Sequence, residues 1–362
     1  MPLDANVANR TVAGEQAGEA TRYRPEFRGA AQEYFRIWIV NLALTILTLG
    51  IYSAWAKVRK LRYFYGNTVL AGSAFGYHGA PLAILKGRLI AAAVGVAYFA
   101  ATQFSPIATL IIIVLLALAM PWLLVKSRLF AMRMTSWRGL RFTFREDYRG
   151  AYAVLLGWGT AAIVSLGLLI PYFLCERFRF VVTRTGYGDQ AFACEPSAGR
   201  FYKTAFAALG ITLGIIVPFV ILIAAAGTLA QGSGLQQSTL TAAGITAVIL
   251  MYVVLFAVVG AYVQSRNLSE VLNHTSLPPH RLHSSLAARP LIWIYLTNIL
   301  GIVLTLGLYT PWAQIRLARY RLETTEVEVH GSLDAFVASV AATAPSATGE
   351  EISELFDADF GL

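Results

Sequence analysis

Charge is what this chain has least of. Only 14% of its 362 residues are Asp, Glu, Lys or Arg, against about 25% in an ordinary soluble domain. Five stretches have none: 37–56, 89–125, 151–175, 204–264 and 290–315. One such run fits a buried core helix, but five in one chain exceed what a soluble domain of this size can cover. A membrane span needs roughly 20 apolar residues, so 89–125 and 204–264 each have room for two. Cysteine is nearly absent as well. Cys175 and Cys194 stand in no metal-ligand spacing and read as inert free thiols. The histidines are His78, His274, His280, His283 and His330. His280 and His283 follow Pro278-Pro279, which reads as a turn, and no Cys or acid stands near them at ligand spacing, so no metal or cofactor is expected. Every Asp and Glu lies outside the apolar runs, which argues against carboxylate-based proton coupling at membrane depth. No Ser-His-Asp, phosphate-loop or dinucleotide pattern occurs, and the chain is not expected to be an enzyme. Residues 1–21 lack the apolar centre of a signal peptide, so 37–56 is expected to act as an uncleaved anchor.

What is present is repetition. Thr48-Leu49-Gly50-Ile51-Tyr52-Ser53-Ala54-Trp55, Ser165-Leu166-Gly167-Leu168-Leu169-Ile170-Pro171-Tyr172 and Thr305-Leu306-Gly307-Leu308-Tyr309-Thr310-Pro311-Trp312 are variants of one phrase. Each closes an apolar segment and opens a basic one. Gly50, Gly167 and Gly307 permit a backbone break that other residues resist, and Pro171 and Pro311 are expected to disturb the helix further. A second element follows the apolar segments, fullest at 67–79 and recurring from Thr135, Thr185, Thr275 and Thr325. Its aromatics at alternate positions suggest short strands. The fold class expected is an all-α polytopic membrane protein with internal repeats, carrying small β elements in its cytoplasmic connections.

The basic residues decide the expected topology. The net charge of +9 could suggest nucleic acid. The Lys and Arg, however, flank apolar segments, where the positive-inside rule places them, so nucleic acid is not expected as a partner. All 29 fall in six stretches, and the connections near Ser105 and across 227–239 have none. Seven full crossings would split the cations almost evenly between the two sides. Four crossings with three segments that enter and return put all of them inside, so 37–56, 151–175 and 290–315 are expected to re-enter or lie in plane. The chain then divides into a disordered N-terminal arm (1–26), a membrane domain (27–336) and an acidic tail (337–362). The apolar segments of the domain are about 37–56, 89–104, 107–125, 151–175, 204–228, 240–263 and 290–315. In the tail, Thr348 and Glu351 have capping-box spacing, and Ile352, Leu355, Phe356 and Phe360 could share a helix face.

Two sets of residues stand out as candidate sites. Asn41 and Asn298 each precede a repeat glycine by nine residues. Asn joins helices in lipid or binds a solute beside broken backbone, and helix packing is the plainer role. Trp55, Arg59, Arg62 and Tyr63 match Trp312, Arg316, Arg319 and Tyr320 in spacing. They read as interfacial anchors or as a basic pocket for anionic lipid headgroups.

The residues Phe27-Arg28-Gly29, Tyr34-Phe35, 44–52, Trp55-Ala56-Lys57-Val58-Arg59, Asn67-Thr68 and 75–79 resemble the YjgN family, a bacterial inner-membrane family of unknown function. The resemblance covers about 27–336 and implies the bacterial plasma membrane. It transfers no catalytic residue. The middle phrase departs from the family's pattern, with Tyr172 in place of Trp55 and Glu176 in place of Arg59. The function expected is a channel or carrier, because repeats with glycine breaks make cavities, with a small solute as its cargo. The alternative is a lipid-binding or envelope scaffold protein. Membrane lipids, anionic ones in the second reading, are the expected partners.

Overall fold

A computed structural model describes residues 20–230 and 237–343. The apolar segments are helical, and together with their basic flanks they form five antiparallel hairpins. The first pairs α1 (Ala31–Leu47) with α2 (Ser53–Gly66), and the second α3 (Pro81–Phe104) with α4 (Pro106–Arg133). The first limb of the third is α5 (Tyr148–Tyr152), a π-helical stretch (Ala153–Trp158) and α6 (Gly159–Val164), and its return limb is α7 (Ile170–Thr183). The fourth pairs α8 (Ala198–Ala230) with α9 (Gln237–Asn273), and the fifth α10 (Ala288–Leu304) with α11 (Thr310–Glu323). Among the described residues, four helices are long and apolar enough to cross a membrane: α3, α4, α8 and α9. The protein is thus a mainly α membrane protein with small strands.

The other three hairpins are short because the repeated phrase turns the chain. Thr48 ends α1, and Leu49 and Gly50 then take positive φ of 49° and 93°. Gly50 N–H bonds the Thr45 carbonyl at 2.7 Å and Leu49 N–H the Ile46 carbonyl at 3.1 Å. This is a Schellman cap, which satisfies carbonyls that a helix end leaves free. Thr48 Oγ1 then accepts the Tyr52 N–H at 2.9 Å and opens the return helix. The same bonds recur at Ser165–Gly167 and Thr305–Gly307, with Ser165 and Thr305 as the hydroxyl caps. Pro171 and Pro311 do not break a helix, contrary to expectation. They sit in the first turn of α7 and α11, where a missing N–H costs nothing.

The strands after the hairpins join into one assembly, where the sequence suggested separate small elements. They are β1 (Thr21–Tyr23), β2 (Glu26–Phe27), β3 (Thr68–Leu70), β4 (Ser73–Tyr77), β5 (Thr135–Trp137), β6 (Leu140–Phe144), β7 (Thr185–Tyr187), β8 (Gln190–Ala191), β9 (Ala193–Cys194), β10 (Thr275–Leu277), β11 (His280–Ser284) and β12 (Thr325–Val329). Antiparallel pairing runs β2 through β8 in order, and β9-β10-β11-β12-β1 in a second sheet. The chain itself links β8 to β9 through Phe192 and β1 to β2 through Arg24-Pro25. The strand order is therefore a circuit closed by the chain at two points, where β8 meets β9 and β1 meets β2 as edge strands of the two sheets.

Five junctions tie hairpins to strands in one geometry. Thr68, Thr135, Thr185, Thr275 and Thr325 each open a strand, and each hydroxyl donates to the carbonyl four residues back in the preceding helix. Each threonine faces the last strand residue before its hairpin: Phe27, Tyr77, Phe144, Cys194 and Ser284. The next residue in every case donates its N–H to the last carbonyl of the return limb, as Arg28 does to Asn67 and Ser285 to Thr324.

Packing follows the same circuit. The main helix contacts pass from each hairpin to the next and from α11 back to α1. Val58 with Ile84, Val125 with Ala151, Cys175 with Phe201, Ala261 with Leu291, and Tyr34 with Ile315 mark five separate apolar seams. A sixth cluster joins Trp137, Tyr187 and Leu277 of the strands to Val340 of α12 (Leu333–Thr343). That helix straddles the expected boundary at 336/337, and the rest of the tail, with Thr348 to Phe360, lies outside the described residues. The expected disordered arm of 1–26 is corrected at its inner end, where β1 and β2 occupy 21–23 and 26–27, and its residues 1–19 lie outside the described residues.

The turn makes a testable distinction between glycines. A β-carbon at Gly50 or Gly307 meets nothing within 4 Å, so only the positive φ opposes it. Gly50→Ala and Gly307→Ala should each cost about 1–2 kcal/mol. Gly95→Ala, in open space within α3, should be neutral or stabilising. Thermal unfolding of the detergent-solubilised protein compares them.

Candidate functional site

Counting back from the five strand threonines places the candidate residues. Ten residues before them stand Val58, Val125, Cys175, Ser265 and Ile315, all buried in the seams. Thirteen before stand Trp55, Trp122, Tyr172, Tyr262 and Trp312, and nine before stand Arg59, Lys126, Glu176, Arg266 and Arg316. Every return limb thus carries an aromatic residue one helical turn from a charged one. Taken in register, these make an aromatic band above a largely cationic band. Trp122, Tyr262, Lys126 and Arg266 did not stand out in the sequence, since their limbs lack the glycine phrase. The strand threonines were the signal that would have aligned them.

The cations of the first and fifth hairpins have neutral partners. Arg59 donates to Tyr52 Oη at 3.1 Å and to Asn41 Oδ1 at 3.4 Å. Arg316 donates to Thr297 Oγ1 at 2.7 Å, and Arg319 to the Gly29 carbonyl at 3.3 Å. Arg62 is exposed and makes no hydrogen bond or ion pair among the described residues. The middle hairpin differs: Glu176 accepts from Arg179 at 2.9 Å and cancels its charge locally. Trp55 stacks on Tyr52 and Trp312 on Tyr309, with centroids 6.0 and 6.1 Å apart. Uncompensated guanidinium groups beside aromatic rings can take phosphate oxygens in bidentate fashion.

Asn41 and Asn298 are both buried, each inside its own hairpin. Asn41 receives Arg59. Asn298 Nδ2 donates to the Ala313 carbonyl at 3.3 Å, while its Oδ1 has no hydrogen-bond partner. The two side chains share no hydrogen-bond partner among the described residues.

Tyr63 and Tyr320 have a structural post. Tyr63 Oη accepts the Ala30 N–H at 2.9 Å and lies within donating reach of the Ala30 carbonyl and Glu33. Its phenol is pushed up to about 12, first by burial and then by the Glu33 contact. Tyr320 makes the same bridge to Ala287. Ala30 and Ala287 precede α1 and α10 and have no capping side chain of their own. Glu270 does this work in the fourth hairpin, accepting the Ser197 N–H at 3.0 Å. In the third hairpin the matching residue is Phe180, and Asp147 caps Gly150 N–H instead while pairing with Arg184 at 2.7 Å. Those two bonds, the Gly150 one first, hold the Asp147 carboxyl below the usual range.

The comparisons with known proteins bear on this arrangement. The family described as "Bacterial protein of unknown function (DUF898)" matches residues 22–355. The chain belongs to this family. It is 26% identical over 355 residues to "Inner membrane protein YjgN" of Salmonella typhimurium, covering 85% of this chain and 88% of that protein. It is 29% identical over 157 residues to the protein of the same name from Escherichia coli K12, covering 40% of this chain and 38% of that one. No solved structure matches the chain. The resemblance read from the glycine phrases thus extends over nearly all of the YjgN-family region, including the strands and both ends of the circuit.

The tyrosine bridge can be exchanged for the aspartate cap. Tyr63→Phe should cost on the order of 1–2 kcal/mol, the loss of a buried N–H partner. Adding Ala30→Asp should restore most of it, since Asp147 with Phe180 already uses that solution. Chemical or thermal unfolding of the single and double variants gives the coupling.

Proposed function

We propose that this chain is a multi-pass bacterial inner-membrane protein, built from repeated hairpins, whose cationic band binds anionic phospholipid headgroups. The observation that carries the reading is the set Arg59, Arg62, Arg316 and Arg319. Arg59, Arg316 and Arg319 hydrogen-bond to neutral groups only, and Arg62 makes no hydrogen bond among the described residues. Arg59 and Arg316 lie one turn, and Arg62 and Arg319 two turns, from tryptophans suited to an interface. Two more features support it. The strand circuit and all the basic connections lie at one end of the hairpins, which fits the positive-inside rule with four crossings. The relatives are also named as inner-membrane proteins.

A channel or carrier has one observation in its favour. The helices contact one another in a circle, and among the described residues each apolar seam joins two neighbouring hairpins, an arrangement compatible with a central path. Among the described residues only α3–α4 and α8–α9 are long and apolar enough to span, however, and the main contacts hold those two pairs apart. A single copy then leaves gaps in its wall through the far leaflet. Lipid binding needs no closed wall, and it is the reading adopted.

Both parts are testable. Cysteines introduced at the exposed Ser197 and Ser285 should label only from the cytoplasmic side in cells; labelling from outside restores seven crossings. Changing Arg59, Arg62, Arg316 and Arg319 together to Lys should keep insertion and orientation but lower co-purified cardiolipin and phosphatidylglycerol several-fold, because Lys lacks the planar fork. Equal retention by mass spectrometry leaves interfacial anchoring as their role. Solute flux in proteoliposomes without lipid selectivity would favour the channel.

A further inference from the structure

The three glycine turns present leucine to the surroundings. Leu49, Leu166 and Leu306 are 94%, 98% and 95% exposed. Ile46, Leu47, Ile51, Ile163, Val164, Leu168, Val303 and Leu304 around them are exposed too. In water such tips would be an aggregation hazard, three times over. The backbone also holds each leucine at positive φ, a conformation costing about 1–2 kcal/mol, and the phrase keeps it in all three copies.

Their depth follows from register. Trp55 and Trp312 lie six residues beyond Leu49 and Leu306, the first half of them in the turn and the rest in the return helix, so the tips stand less than about 9 Å past the rings. With the aromatic band at the interface, the tips reach the upper acyl region and stop, the depth of an interfacial element. The second and fourth hairpins continue through both leaflets.

We propose that the three leucine-tipped hairpins form a wedge that inserts into one leaflet, their partner being its acyl chains. This rests on the topology proposed above. At the aromatic band the chain presents ten helical limbs, and beyond the tips only the four long ones. The six limbs that stop are each about 10 Å wide. They displace lipid from the strand-side leaflet alone, which makes the protein broader there and gives it an affinity for membrane that is convex on that side. The chemistry recognised is lipid packing, beyond any headgroup.

Two measurements test this on the full chain. Leu49→Cys, Leu166→Cys and Leu306→Cys carry a nitroxide in turn, in phosphatidylethanolamine–phosphatidylglycerol vesicles. Cys175 and Cys194 are buried, so the unaltered protein is the labelling blank. Power saturation should find each label accessible to oxygen, shielded from an aqueous nickel chelate, and about 5–10 Å below the strand-side phosphates. A label reached by nickel from the far side, or shielded from both relaxants by protein, overturns the wedge. The protein is also reconstituted into small and large vesicles, and orientation is scored with impermeant reagent at Ser197→Cys. The strand side should face outward severalfold more often in the small vesicles, and equal orientation in both overturns the curvature preference. The topology fails separately, when labels at Ala74→Cys and Ser197→Cys fall on opposite sides of one membrane, as seven crossings require; Ala74 and Ser197 are both exposed.

Discussion

A hydrogen bond that reaches back four residues organises this molecule: a threonine hydroxyl returned to the helix it has just left. At five places a helix ends, and its last carbonyls must find donors. The threonine takes one carbonyl, and a backbone N–H from the strand before the same hairpin takes another. The two ends of each hairpin are thereby pinned side by side, and the strands emerge in register. Without that pin, ten limbs of differing length would have no common base. With it, limb length becomes free to vary, which is why two hairpins are long and three are short on one circuit.

The short hairpins depend on a local conflict that is resolved locally. A leucine in the left-handed region is unfavourable, yet the cap bonds of the next glycine satisfy carbonyls that would otherwise be bare in an apolar setting. The hydroxyl of Thr48, Ser165 or Thr305 then restarts the helix without any bond to the rest of the protein. The backbone bonds of the turn are all local, and in the first hairpin Arg88 of α3 adds a bond to Ser53 Oγ, which donates to the Gly50 carbonyl.

The bases of the hairpins show three chemical answers to one requirement. A tyrosine hydroxyl, a buried glutamate or an aspartate cap serves the first N–H groups of a limb. The exchange explains why Tyr63 and Tyr320 looked like interface residues in the sequence and turn out to be fastenings. It also separates them from Arg59, Arg62, Arg316 and Arg319, whose charges the fold leaves uncompensated. The proposed binding of anions at those cations rests on charge that no acidic side chain among the described residues neutralises.

The amino-acid sequence by itself carried the apolar segments, the three glycine turns, the threonine-led strands and the basic flanks. Each is written in a few adjacent residues, since helix caps, turns and period-two strands are short-range. Gly50 and Thr48 announce a turn whatever surrounds them. Tertiary structure decided what joins distant residues: the pairing of Thr21–Tyr23 with Val327–Val329 that closes the circuit, the seating of Val340 against Tyr187 and Trp137, and the separate burial of Asn41 and Asn298. Composition and spacing are silent on such contacts, because closing a loop of some 300 residues is selected by the summed packing of every hairpin between its ends. No residue at either end announces it.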